Sequence, residues 1–133
     1  MSLKYIAVDG CELEFQNGGS PNSAISITPG QLSTKVFADG KAVYKTIKFT
    51  VSGYTASSTL KPTWIPSSGS GQGEINASSQ HVKVECNKVI LEGDQSASFT
   101  IIGQEQQGTT TVQSQVTEIV KVTKAGQTKV RGS

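Results

Sequence analysis

Polar and apolar residues alternate with period two along much of this chain, the spacing expected of strands with one dry face. The clearest run is Thr109 to Thr123. There Val112, Val116, Val120 and Val122 share one side, and Thr, Gln, Glu and Lys are placed on the other. Its β-branched content favours a strand over a helix, because Val and Thr lose rotamer freedom in a helix. Residues 3 to 8, LKYIAV, form a short apolar strand, and CELEF after Asp9-Gly10 forms a second. Asp-Gly between two such runs predicts a hairpin, since its turn needs positive φ. Residues 16 to 22 are a loop punctuated by Gly, Pro and Asn, and residues 24 to 28 a strand ended by Pro29-Gly30. Lys35 to Ala38 and Ala42 to Val51 flank a second Asp-Gly turn.

Residues 54 to 74 break the pattern. They hold Pro62 and Pro66 around Trp64-Ile65, and SSGSGQG has the composition of a flexible linker. Trp64 either pins this loop to the core or stands out as a partner anchor; the first is favoured. Residues 104 to 108 are a polar connection and 124 to 133 a flexible tail. No stretch carries a helical pattern. The fold class is all-β, in one domain.

Within this pattern a stretch is repeated. Ser33 to Lys48, STKVFADGKAVYKTIK, lies over Ser79 to Asp94, SQHVKVECNKVILEGD, without a gap. Ser33 meets Ser79, Val36 meets Val82, Ala38 meets Val84, and Val43 meets Val89. After the insertion GDQS, Phe49, Thr50 and Gly53 meet Phe99, Thr100 and Gly103. Each copy, 33–53 and 79–103, reads as strand, tight turn, strand, further strand. Glu85-Cys86-Asn87 takes the place of the first copy's turn, with Asn87 expected to stand in for glycine at a left-handed position. Repetition of this kind implies that each unit buries a face against its sister.

With 133 residues the chain is long enough for one core. Its net charge of +2 is far from the concentrated basic surface of a nucleic-acid binder. Charged residues are 17% of the chain, below the roughly 25% usual for soluble domains, and Ser, Thr, Gln, Asn and Gly take their place. The start, MSLKYIAVDGCELEF, has early acids and no long apolar centre, so it does not read as a secretory leader.

Candidate chemistry is thin. His81 is the only histidine, and Lys35 occupies its place in the first copy, as on a wetted strand face. No Gly-x-Ser-x-Gly elbow and no phosphate-cradling loop occur. Cys11, His81 and Cys86 are ligand types that zinc takes, but their spacings are long and no Cys-x-x-Cys is present. Glu12, Glu14 and Glu74 are scattered, and Lys35, Lys41, Lys45 and Lys48 alternate with apolar residues along a hairpin. No catalytic residue, cofactor or metal is therefore assigned. If the domain were instead a carbohydrate- or protein-binding β-sandwich adhesin module, Trp64, Tyr44 and Tyr54 would be the stacking candidates.

The phrases ADGKAVYK (Ala38 to Lys45) and ECNKVILEGD (Glu85 to Asp94) resemble the x-Gly-Lys-Pro-Val…Gly-Asp phrase of PAAR-type spike-tip proteins. YIAVDGCELEF (Tyr5 to Phe15) is similar to the opening of PAAR-like members, and GQGEINASSQHVKVE (Gly71 to Glu85) follows their order of Gly-rich turn and strands. The Pro-Ala-Ala-Arg tetrapeptide and the three-His, one-Cys zinc set of that family are absent. The resemblance therefore implies the architecture rather than the metal. It implies a small conical β-prism, not an enzyme, capping a trimeric β-helical (VgrG-like) spike of a contractile injection apparatus with one copy per trimer. Phage tails, type VI secretion systems and extracellular injection particles are machines of this kind. Synthesis in the bacterial cytoplasm, delivery outside it on the particle, carriage of an effector and transient contact with a target membrane follow as further implications.

Overall fold

The computed structural model describes residues 3–132. Among them thirteen strands and one 3-10 turn (Asn22–Ala24) are found, so the protein is all-β. The strands are β1 (Lys4–Tyr5), β2 (Glu12–Phe15), β3 (Ile25–Ile27), β4 (Leu32–Ala38), β5 (Lys41–Tyr44), β6 (Lys48–Tyr54) and β7 (Gly69–Glu74). They continue as β8 (Lys83–Val84), β9 (Asn87–Lys88), β10 (Phe99–Gln107), β11 (Thr110–Glu118), β12 (Val120–Lys124) and β13 (Arg131–Gly132).

A five-stranded antiparallel sheet runs in the order β11-β10-β7-β6-β3. Beyond β11 the chain breaks at Ile119 and continues as β12, which pairs with β2. The single strand expected over 109–123 is thus two strands that serve different neighbours. Between β2 and β3 there is no pairing, so the sheet is open there.

The repeat is present in three dimensions, and it has a third member. β4 and β5 pair Phe37 with Ala42 and Ala38 with Lys41. β8 and β9 pair Lys83 with Lys88 and Val84 with Asn87. β13 and β1 pair Arg131 with Tyr5 and Gly132 with Lys4 in the same register. The third hairpin is therefore assembled from the two ends of the chain. Its closing bond, Ile6 N–H to Val130 O at 3.1 Å, matches Val89 N–H to Val82 O at 3.2 Å. Each hairpin is also entered in the same way. Ser33 Oγ accepts from Lys35 and Val36 N–H, Ser79 Oγ from Val82 N–H, and Gln127 Oε1 from Lys129 and Val130 N–H. All three capping side chains are buried, where such bonds satisfy backbone donors that would otherwise be costly.

This overturns the flexible tail expected over 124–133. Residues 124–132 are strand, cap and strand again, and Gln127 also donates to Ile6 O at 2.9 Å; Ser133 lies outside the described residues. The hairpin expected around Asp9-Gly10 is corrected as well. The tight turn forms, with Cys11 N–H donating to Val8 O and Gly10 at φ 95. Its two strands then part, β1 to β13 and β2 to β12. At the second hairpin the left-handed positions are Glu85 (φ 49) and Cys86 (φ 70), not Asn87. They match Asp39 (φ 53) and Gly40 (φ 74), and this is the double positive-φ turn that fits strand twist.

Two apolar clusters fill the molecule. The smaller lies under the hairpins: Ile6, Val43 and Val89 are equivalent positions and all belong to it, with Ala38, Val84, Val8 and Leu91. The next residues, Ala7, Tyr44 and Ile90, belong to the larger cluster. These short segments therefore bury both faces, which is why they read as unbroken apolar runs. Val36 and Val82 share a backbone role but not a burial: Val36 is exposed, whereas Val82 packs on the small cluster beside Gly132.

The larger cluster holds Leu13, Phe15, Phe49, Val51, Tyr54, Trp64, Ile101, Val120 and Val122. Edge-to-face rings tie it together, Tyr54 to Phe15 at 4.9 Å and to Trp64 at 6.0 Å. The linker expected in SSGSGQG is instead largely β7, an interior strand of the sheet. Its lack of side chains is the reason it fits. A Cβ on Gly69 would sit 2.8 Å from Tyr54 Cβ, and one on Gly73 2.8 Å from Phe49 Cζ. The polar connection expected at 104–108 is mostly the end of β10, paired with β11 to Gln107–Thr110.

Candidate functional site

The three hairpins form the most distinctive surface. Their inward positions are apolar, so their outward positions carry what the protein shows to a partner. Lys4, Lys35, Lys41, Lys83, Lys88, Lys129 and Arg131 lie on these units, seven of the twelve basic residues. Only Asp39 and Glu85 of the ten acids do so, with Asp9 and Glu92 adjoining. Lys129 meets Asp39 at 3.4 Å and joins the third hairpin to the first. Lys41 donates to Gly126 O at 2.7 Å. Arg131 lies 4.7 Å over the Tyr5 ring and donates to its hydroxyl. Lys83 and Lys88 are direct cross-strand partners, a like-charge juxtaposition that costs stability.

The residues singled out for chemistry are not brought together. His81 and Cys86 are exposed on or beside the second hairpin, while Cys11 is half-buried at the start of β2. Among the described residues no group of three or more His, Cys, Asp or Glu side chains could hold a metal ion. Burial, reinforced by the charge of Asp9, pushes the Cys11 thiol up to about 12, which suppresses its thiolate. Cys11 lines a groove of about 370 Å³ with Leu13, Asn22, Ile25 and Ile27, at the place where β2 and β3 part.

Trp64 is 6% exposed, and its indole N–H donates to Tyr54 O at 3.2 Å, so it pins the loop to the core. Its ring occupies the space where a side chain at Gly103 would stand. Tyr44 and Tyr54 are buried too, so all three stacking candidates of the adhesin reading are unavailable to a sugar. Burial raises the Tyr44 hydroxyl to about 12, with Cys11 and Asp9 adding to the shift. Tyr54 is raised by burial and by its bond to Glu118.

Two carboxylates are buried where the sequence pattern predicts no buried acid. Glu118 is fully buried, on the dry side of the β11–β12 line where a polar-face residue was expected. Its Oε2 accepts from Tyr54 Oη at 2.7 Å, and its Oε1 from the N–H groups of Gln16, Asn17 and Ile119. It closes the loop after β2 onto the point where β11 gives way to β12. Asp94 accepts from Leu91 N–H at 2.8 Å and from Ser78 through both N–H and Oγ, fixing the turn that follows the second hairpin. Both are saturated with donors and act as braces.

A surface network joins Lys61, Glu105 and Ser114. Lys61 Nζ is 3.2 Å from Glu105 Oε1 and donates to Ser114 Oγ, which donates to Glu105. Lys61, then Ser114, hold the Glu105 carboxyl below its usual range. Such a carboxylate is a weak base, so the trio anchors the 54–68 loop to the β10–β11 arm rather than activating the serine. No helix is long and apolar enough to cross a membrane among the described residues.

No family model, no curated protein and no solved structure matches this chain.

Proposed function

We propose that this protein is a non-enzymatic tip, one copy of which caps one end of a trimeric β-helical spike of a contractile injection apparatus and narrows it to a conical prism. The observation that carries this reading is the set of three hairpins in one register, the third closed by the two chain ends. A trimer is symmetric about its axis. A single chain can continue that symmetry to a point only if its own structure repeats about the axis, as the three hairpins do in this reading. A cap must also cover the free strand ends of the spike, which it does by adding strands of its own to them. In this reading the hairpins, which enclose the smaller apolar cluster, are the narrow end. The loops at 16–24 and 55–68 and the turn at 107–110 face the spike. Interior glycines that let rings pack on β7 and carboxylate braces at loop junctions give the stiffness that puncture requires.

The test is native mass spectrometry of the protein mixed with a candidate trimeric spike protein. One copy per trimer is the expected stoichiometry. Three copies per trimer, or no complex, refutes the reading.

A further inference from the structure

We infer that the three-hairpin end is a binding surface for anionic lipid bilayers. Two independent features coincide there. The first is charge. Seven cations against two acids give the hairpins a net charge of +5, or +3 with the adjoining Asp9 and Glu92 included, while the whole chain carries +2, so the remainder is acidic by either count. Positive charge so gathered attracts an anionic leaflet and is not accounted for by internal ion pairing. Lys129 alone among the hairpin cations has a carboxylate partner within 4 Å among the described residues. The Lys83–Lys88 pair, set directly opposite each other, is a cost to folding that an anionic partner would remove.

The second feature is apolar. Six large hydrophobic side chains are exposed among the described residues, and four of them, Leu3, Val36, Phe37 and Val130, lie on or next to these hairpins. Phe37 is 59% exposed. Val36 and Val130 occupy equivalent positions on two hairpins and are both exposed. Lys and Arg interleaved with protruding Phe, Leu and Val is the composition of surfaces that lie in a lipid interface. The cations meet headgroup phosphates, and the apolar side chains enter the acyl boundary. A nucleic-acid duplex would use the cations alone and leave Phe37, Val36 and Val130 without a role. The inference rests on hairpin composition and not on the spike reading, and it can be tested with no spike present.

Purified full-length protein is mixed with phosphatidylcholine vesicles, or with vesicles carrying about one-third phosphatidylserine, and bound protein is measured by flotation. Binding is expected to the anionic vesicles only, at about 0.1 M salt, and to be largely lost at about 0.5 M, where screening is stronger. Each hairpin cation removed should weaken affinity about fivefold, so Lys83→Gln with Lys88→Gln should weaken it about 30-fold. Phe37→Ser should lower affinity without changing the salt dependence. Lys48→Gln, outside the hairpins and beside Thr28 and Glu74, should leave binding unchanged. Trp64 fluorescence checks that each variant is folded. Equal binding to neutral vesicles, no binding by folded protein, or an about fivefold loss from the Lys48→Gln control overturns the inference. So does complete displacement from vesicles by duplex DNA at matched phosphate concentration.

Discussion

Replacing Glu118 tests whether the buried carboxylate is a brace. In Glu118→Ala three donors lose their acceptor, Tyr54 Oη and the N–H groups of Asn17 and Ile119, while Gln16 N–H keeps Ile119 O at 2.9 Å. Asn17 is exposed and can turn to water. Tyr54 is fully buried and cannot. One stranded hydroxyl, one partly stranded amide and the void left by the side chain sum to about 3–5 kcal/mol. That is a large fraction of the roughly 7–20 kcal/mol expected for a domain of 133 residues. Glu118→Gln keeps the shape, one acceptor and a donor for the Tyr54 oxygen, and should cost only about 1–2 kcal/mol. Tyr54→Phe leaves Oε2 without its donor and should cost about 1–3 kcal/mol. Urea unfolding followed by Trp64 suits the measurement, because Trp64 is the only tryptophan and stacks edge-on to Tyr54. In the double variant Glu118→Gln/Tyr54→Phe the losses should not add, because the two groups share one bond. Equal costs for Glu118→Ala and Glu118→Gln, or a cost under about 1 kcal/mol for the alanine, would refute the brace.

Three other outcomes are expected. Cys86→Gly relieves a left-handed position held by a side chain (φ 70) and should raise the urea midpoint by about 1 kcal/mol of stability, where Asn87→Gly should not. Gly73→Val sets a branched side chain against the Phe49 ring and should cost at least about 1–3 kcal/mol; the thermal midpoint reports it. Cys11, Tyr44 and Tyr54 all carry raised folded pKa values, Cys11 moving from 9.0 to about 12. Their protonated forms are favoured in the folded state, so their contribution is complete below the unfolded values and declines as pH rises from about 9 towards 12. Urea midpoints should fall across that window, and at pH 8 a thiol reagent should label Cys86 at once and Cys11 only after denaturation.

Much of the strand inventory was legible because alternation and Asp-Gly turns are local signals. The first two hairpins were legible too, since Val43 and Val89 or Ala38 and Val84 stand at matching places along the chain. The third hairpin was harder to see, although Thr34-Lys35-Val36 and Thr128-Lys129-Val130 are the same tripeptide. Its second strand is at the opposite end of the sequence, so no alignment read along the chain completes it. Gly69–Glu74 could not be seen as a strand from its own composition. Its place is set by Tyr54, Phe49 and Ile101, which need a neighbour with no side chains. Glu118 was assigned to the wet face because a carboxylate in an alternating strand usually points to water. Its parity, shared with Val116 and Val120, gave the opposite answer. Cys86 shows that the register of the flanking strands, Lys83–Val84 on Asn87–Lys88, fixes which residues turn left-handed, whatever their own preference. The hairpin surface escaped notice because its cations belong to four separate stretches of sequence that only folding gathers.

Amide hydrogen exchange of the full-length protein tests the three-hairpin architecture most directly. If the chain ends close a third hairpin, the amides of Ile6 and Val130 should be protected to within about tenfold of Val89 and Val82, whose bonds they reproduce. Free exchange at Ile6 and Val130 beside slow exchange at Val82 and Val89 would leave two hairpins and a loose tail, and the three-fold account would not stand.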